Sequence, residues 1–342
     1  MALLRAARPL ADAVLATVVY ADLFDFPLDR DEIGRDLIGV AAAPGEVGRA
    51  LDALLAAGEL RRAGEFIVLP GRAGLAALRR DRRARAARLW PRARRWGRAL
   101  GALPFVRMVA VSGSLAVGNP DPRADLDYLL VTAPGRLWLV RAFAVAAVRL
   151  ARPAGARLCP NYLLTTRALA LDHRDLYTAH ELLQAVPVAG AATYRRFRAG
   201  NAWAARWLPN RWRDAPAAPP ESRLAGLGRW AGERALGGTP GDRLEAWEGG
   251  RKRARFGGQG DGAARFTGDL CEGHFGHHRR EILRAYLERC AALGIAPPLV
   301  ECVRRDLGGD TGHTWPVAAS AGSGGLDTAG LVPAAVGTDE CA

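Results

Sequence analysis

At 342 residues the chain is long enough for two or three domains with cores of their own, and it needs no covalent staples. Its five cysteines are odd in number and fall at no framework spacing, no N-terminal stretch has the build of a secretory signal, and the most apolar segment, residues 137–150, is interrupted by Arg141 and Arg149, so a reduced cytoplasmic protein without a membrane anchor is expected. The net charge of +13 is nearly all arginine, with Lys252 the only lysine; this excludes a Walker loop and any Schiff-base lysine other than Lys252, and with the abundant Ala and Gly it reads as coding bias more than as a nucleic-acid footprint.

The first 70 residues predict an apolar helix over 11–24, then a second that Asp29 caps, with Ile33 and Leu37 on its inner face. A third helix over 44–57, with Val47, Leu51, Leu54 and Leu55 on one face, stops at Gly58 and leads into a hairpin that turns at Ala63-Gly64. Three helices and a hairpin make a winged-helix pattern. That fold often binds DNA, yet these residues hold seven arginines against eleven acids, a net charge of −4, and the would-be recognition helix offers Glu46, Arg49 and Asp52; a structural or protein-docking role is expected and specific DNA binding is not.

Residues 72–101 predict one long arginine-rich helix, read as a solvated linker, with a polyanion-holding face as the alternative. Strands over 106–112, 126–132 and 157–166 then alternate with helices over 136–151 and 174–186, the α/β pattern. Helices follow over 194–208, 224–235 and 278–293, separated by an Arg/Gly-rich region, and the end of the chain, from residue 301, is expected to be disordered.

Chemistry concentrates between the first two of those strands, where the chain reads Val111-Ser-Gly-Ser-Leu-Ala-Val-Gly-Asn-Pro-Asp-Pro-Arg-Ala-Asp-Leu-Asp127. Side chains two apart on a strand share a face, so Asp125 and Asp127 are expected to present adjacent carboxylates that repel unless a cation, best Mg²⁺ (or Mn²⁺), lies between them. Gly113 lets the backbone approach a phosphate, and Ser114 offers a hydroxyl and an N–H to triphosphate oxygens.

This strand, Gly-Ser, roughly ten residues and Asp-x-Asp resemble the DNA polymerase β-like nucleotidyltransferase superfamily, and the wider layout, with Leu158-Cys-Pro-Asn-Tyr162, resembles bacterial proteins carrying such a domain behind a winged-helix-like front. The resemblance implies an α/β (α+β) fold with a mixed sheet: a winged-helix-like domain over 1–71, a nucleotidyltransferase domain over 72–190, a helical region over 191–300 and the tail over 301–342. It also implies transfer of a nucleoside monophosphate from a nucleoside triphosphate to an acceptor hydroxyl on a small molecule, protein or RNA, with loss of pyrophosphate. Asp125 and Asp127 would hold the metal, while Gly113, Ser114 and Arg123 would bind the nucleotide. The alternative is a lapsed fold that senses nucleotide or docks a partner. One departure favours it: the strand over 157–166 holds no acid where active relatives place a third carboxylate, and Asn161 sits at that position, leaving Glu181 on the following helix as a candidate base. A separate cluster, Cys271, His274, His277 and His278, has zinc-type residues without a second pair of ligands unless Cys290 completes it.

Overall fold

The computed structural model describes residues 2–217, 219–220, 223–256, 265–272 and 275–307, a mixed α/β chain with two sheets. The front segment runs α1 (Ala2–Asp22), β1 (Leu28–Asp29), α2 (Arg30–Arg35), α3 (Pro44–Ala57), β2 (Arg61–Ala63) and β3 (Phe66–Val68). Asp29 caps α2 as expected: its side chain accepts from the Glu32 N–H at 2.8 Å while Glu32 accepts from the Asp29 N–H at 3.0 Å. β1, unforeseen because it is two residues long, pairs with β3, and the sheet order is β1-β3-β2, antiparallel throughout.

The second sheet is built on β4 (Val106–Val111), β5 (Leu126–Thr132) and β6 (Leu158–Thr165), close to the expected bounds. β4 and β5 are antiparallel, while β5 and β6 run parallel through the crossover helix α6 (Leu137–Ala151). Three strands were not foreseen: β7 (Val186–Ala189) flanks β4, and β9 (Leu270–Glu272) and β8 (Arg265–Phe266) extend the sheet beyond β6, giving the order β7-β4-β5-β6-β9-β8.

Alternation along the strands sorts this sheet into two cores. Val109, Val111, Tyr128 and Leu130 face the long helix α4 (Leu75–Gly101) and α6, and the Tyr128 hydroxyl donates to the Ala93 carbonyl at 2.9 Å. Met108, Ala110, Leu129 and Val131 face the opposite way, into a core shared with α1, α7 (Leu176–Gln184) and α13 (Phe275–Ala292). The front segment therefore shares one core with the six-stranded sheet. Tyr20 of α1 stacks on His180 of α7 at 4.2 Å between ring centroids, and burial pushes that imidazole down to about 3, so it packs as a neutral ring.

α4 is only in part the solvated helix the charge run predicts: Arg80, Arg83, Arg88, Arg92, Arg94, Arg95 and Arg98 are exposed, whereas Arg79, Arg82 and Arg85 turn inward. Arg79 is buried: it donates to the Glu32 carboxylate at 2.8 Å and the Gly118 carbonyl at 2.7 Å, and lies over the Phe26 ring at 3.9 Å. Arg82 reaches the Phe24 and Asp25 carbonyls and Asn119, Arg83 reaches Asp29 and Glu32, Arg85 donates to the Pro120 carbonyl, and Arg92 to that of Gly155. The acid excess of the front segment is consumed here and nearby: Arg72 and Arg289 bind Asp22, Arg72 also binds Asp25, and Arg211 binds Asp36. These are internal docking contacts between segments far apart in sequence.

Past β7 the chain is helical: α8 (Ala191–Gly200), α9 (Ala204–Trp207), α10 (Pro209–Arg213), α11 (Arg223–Ala235) and α12 (Thr239–Phe256), the last where only an Arg/Gly-rich region was expected. Glu245 of α12 accepts from the N–H groups of Trp138 and Leu139, capping α6 from outside, which explains why this polar, glycine-containing stretch holds a helical course. α14 (Val300–Asp306) occupies the start of the expected disordered tail because Val303 is buried in the shared core; residues 308–342 lie outside the described residues.

Arg79→Ala removes a buried cation and leaves the Glu32 carboxylate only the longer Arg83 contact and the Asp29 N–H, so it is expected to cost about 3–5 kcal/mol of stability. Urea unfolding measures it. Adding Glu32→Gln is expected to recover part of that loss, and a single-variant cost below about 1 kcal/mol would contradict the assigned bridge.

Candidate functional site

β4 ends at Val111, and the chain turns at once into the one-turn helix α5 (Gly113–Ala116). Gly113 adopts φ +63°, and a Cβ placed on it would lie 2.5 Å from Asp127 Oδ2, so only glycine lets the turn close on that carboxylate. Ser114 follows in α5, where its carbonyl accepts from the Asn119 N–H at 2.7 Å. On the other side the Ser112 N–H donates to the Asp127 carbonyl at 3.0 Å. Asp127 shares its strand face with Leu129 and Val131, so its carboxyl lies on the α7 side of the sheet.

Asn161 comes to the same point from β6. The β5–β6 register slips between Asp127 and Leu129, and the extra residue brings the Asn161 side chain to Asp127, with Nδ2 donating to Oδ1 at 3.2 Å. Asn161 Oδ1 is buried with no hydrogen-bond partner, an oxygen aimed at nothing in the protein. The position expected for a third carboxylate is thus beside Asp127, and an amide fills it.

Asp125 is arranged differently from the expectation. It precedes β5, whose first residue is Leu126, so the alternation that would set it parallel to Asp127 does not reach it. Its carboxyl pairs with Arg157 Nε at 2.7 Å, held there because the Leu126 N–H donates to the Arg157 carbonyl. Burial pushes this carboxyl up from the usual range, against the pull of Arg157 and Arg152. Arg123 is exposed in the preceding loop, its backbone N–H on Asp121, and Arg157 is the arginine set against the acids. That role was legible only from the β5–β6 pairing.

Next to this junction lies a cavity of about 370 Å³. Ser112, Leu129 and Tyr162 form its floor, α7 contributes Tyr177 and Glu181, and Glu272 and Arg279 close it from β9 and α13. The Arg279 guanidinium is already bound to Asp175, the buried residue whose carboxyl also caps α7 through the Thr178 N–H. Glu181 has no ion-pair partner among the described residues, and desolvation pushes its carboxyl up to about 7. Burial holds the Tyr177 hydroxyl above its ordinary range, with smaller contributions from the Glu181 carboxyl and, more weakly, from Asp127.

Among the described residues the cysteine–histidine cluster is not brought together. Cys271 is buried in the core facing α4 and α6, whereas the His278 ring sits edge-on to Tyr177 on the other side of the sheet; His274 lies outside the described residues. Cys290 is buried in the shared core, where its thiol is pushed up to about 12. Among the described residues, no three His, Cys, Asp or Glu side chains form a metal-binding group, and no helix is long and apolar enough to cross a membrane. No family model, curated protein or solved structure matches the chain.

Two substitutions test this geometry. Gly113→Ala forces both a left-handed alanine and a clash with Asp127, and is expected to lower stability by about 1–3 kcal/mol in thermal unfolding. For Glu181, a carboxyl raised to about 7 from an ordinary 4.5 keeps in the folded state a proton that the unfolded chain has released, so its contribution is lost as pH rises across that window. Glu181→Gln should therefore melt higher than wild type at about pH 8 and match it at about pH 4; the same difference at both pH values would refute the buried, raised carboxyl.

Proposed function

We propose that the chain is a Mg²⁺-dependent nucleotidyltransferase, with a nucleotidyltransferase-type α/β core behind a winged-helix-like front segment. The observation that carries the reading is the closure of the Gly113–Ser114 turn onto Asp127, with Asn161 reaching the same carboxylate from a third strand. A glycine pressed against a carboxylate, next to an orphaned amide oxygen, has no packing purpose and suits a cation and a phosphate chain.

The donors fit a hard cation. Asp127, Asn161 Oδ1 and Asp125 offer only oxygen, the ligand type magnesium prefers, although Asp125 must be shared with Arg157. Bound there, the metal would neutralise charge on the triphosphate and polarise the α-phosphorus. The Ser114 hydroxyl and the backbone of the Gly113 turn would hold phosphate oxygens. Arg157 would exchange its hold on Asp125 for phosphate contact, and Asn161 would orient Asp127 without taking a proton.

A second reading, a lapsed fold that senses nucleotide or docks a partner, draws on Asn161 in place of an acid and on the Arg157–Asp125 pair, which already neutralises one carboxylate. The internal use of the front segment's acids suits docking within the chain and gives no support to DNA binding.

Thermal-shift titration with each nucleoside triphosphate, with and without Mg²⁺, tests the nucleotide site. Wild type is expected to gain roughly 2.7 kcal/mol at a hundredfold excess over the dissociation constant, only with Mg²⁺, and Asp127→Asn is expected to lose that gain. No shift with any nucleotide would overturn the proposal; a Mg²⁺-dependent shift with no pyrophosphate released would favour the sensing reading.

A further inference from the structure

We infer that the cavity under α7 is the acceptor pocket, that its occupant is a small alcohol carrying no negative charge, and that Glu181 receives the proton of the attacking hydroxyl. This rests on the nucleotidyltransferase reading.

Position comes first. The cavity floor includes Ser112 and Tyr162, the immediate neighbours of Gly113 and Asn161, so it opens beside the junction where the α-phosphorus would lie. A hydroxyl held there is within one residue's reach of both strands that frame Asp127. Size comes second: about 370 Å³, bounded by α7, the loop before it, β9 and α13, suits a compound of sugar or nucleoside dimensions.

Charge decides between the two substrates. Glu181, Glu272, Asp172 and Asp269 line the cavity against Arg167 and Arg279, and Arg279 is bound to Asp175. Asp269 also holds the Thr165 hydroxyl. A triphosphate or a nucleic-acid end would meet this acidic excess and be repelled. A neutral or amine-bearing alcohol would not, and Leu129, Tyr162 and Phe197 give its carbon skeleton an apolar seat.

Asn161 has no basicity, so the proton must go elsewhere. Glu181 has no ion-pair or hydrogen-bond partner among the described residues, whereas the Asp269 carboxylate is already held by the Thr165 hydroxyl, and α7 holds Glu181 rigidly on a helix whose N-terminus is pinned by the Asp175–Arg279 pair. The groups that face it are Tyr20 from α1 and Tyr177 from its own helix, Asp127 from β5 beyond Tyr177, and Asp172 and His173 from the preceding loop. Asp269 and Glu272 face it from the β9 side and Arg279 from α13, with the His278 ring edge-on to Tyr177. In the step, the acceptor O–H gives its proton to the Glu181 carboxylate, and its oxygen forms a bond to the α-phosphorus. The bond from that phosphorus to the bridging oxygen breaks, and pyrophosphate leaves with the electron pair. A carboxyl near 7 is well placed to accept a proton at neutral pH and return it to solvent.

The test uses the full chain, Mg²⁺, the nucleoside triphosphate giving the largest thermal shift, and two probe alcohols, neutral glycerol and anionic glycerate, with pyrophosphate release and the nucleotidylated product followed across pH. Wild type is expected to modify glycerol and not glycerate, with a rate that climbs and levels off near 7. Glu181→Gln is expected to keep the Mg²⁺-dependent nucleotide shift, lose on the order of a hundredfold in rate, and show no such inflection. An unchanged rate or inflection in Glu181→Gln overturns the base; transfer to glycerate, or to an oligoribonucleotide end, as readily as to glycerol overturns the pocket. Wild type that binds nucleotide but modifies neither alcohol overturns both, whereas absence of any nucleotide shift defeats the parent reading instead.

Discussion

The buried guanidinium of Arg79 is the constraint on which the rest of the site depends. A charge removed from water needs partners, and here α4 supplies the cation while the partners come from two other segments: Glu32 in the front segment and the Gly118 carbonyl in the loop between β4 and β5. Arg82 and Arg85 repeat the pattern on Asn119 and Pro120. Arginine suits the task because its planar fork offers several donors in fixed directions and its charge does not titrate away. The loop that carries Asp125 toward β5 is thereby tied to a rigid helix instead of being left to solvent. The front segment, whatever its ancestry, acts as the anchor for that helix.

Three carboxylates within a small region end up in three electrostatic settings. Asp125 lies against a cation, Asp127 against an amide and a glycine turn, and Glu181 in a cavity with no cation of its own. Environment of this kind can separate roles among chemically identical groups: under the proposed reading the first two would hold the metal and the third would exchange a proton. Under the proposed reading the missing strand carboxylate is compensated from a helix on one side of the sheet, at the cost of placing the base nearer the acceptor than the metal.

Much of this was legible from the residues. The run from Val106 to Thr132 gave strand, turn and strand because apolar stretches of strand length flank a polar, glycine-bearing turn, and the position of Asn161 next to Asp127 follows from the strand order. The pairing of Asp125 with Arg157 was not foreseen, because Asp125 lies one residue before β5 and its partner comes from the neighbouring strand's approach. β7, β8 and β9 escaped notice for lack of length; four residues with a proline, or two with an arginine, carry no period. Arg157 was not singled out, and Arg79, Arg82 and Arg85 were read as solvent-facing, because a contact between segments far apart in the chain leaves no local trace in sequence. The front segment's net negative charge was the one available hint, and it pointed to internal docking once the partners were known.

The flanks of the six-stranded sheet have a consequence for the protein in solution. On one side β7 contains Pro187, which has no N–H to offer, and on the other β8 spans only Arg265–Phe266. Among the described residues, neither border presents the long ladder of unpaired donors and acceptors that a strand from another molecule needs in order to add on. A parallel β5–β6 pair that must wait for the α6 crossover is slow to form and leaves sticky intermediates in many folds. Here the finished sheet has blunt borders, so self-association through strand addition is disfavoured once folding is complete.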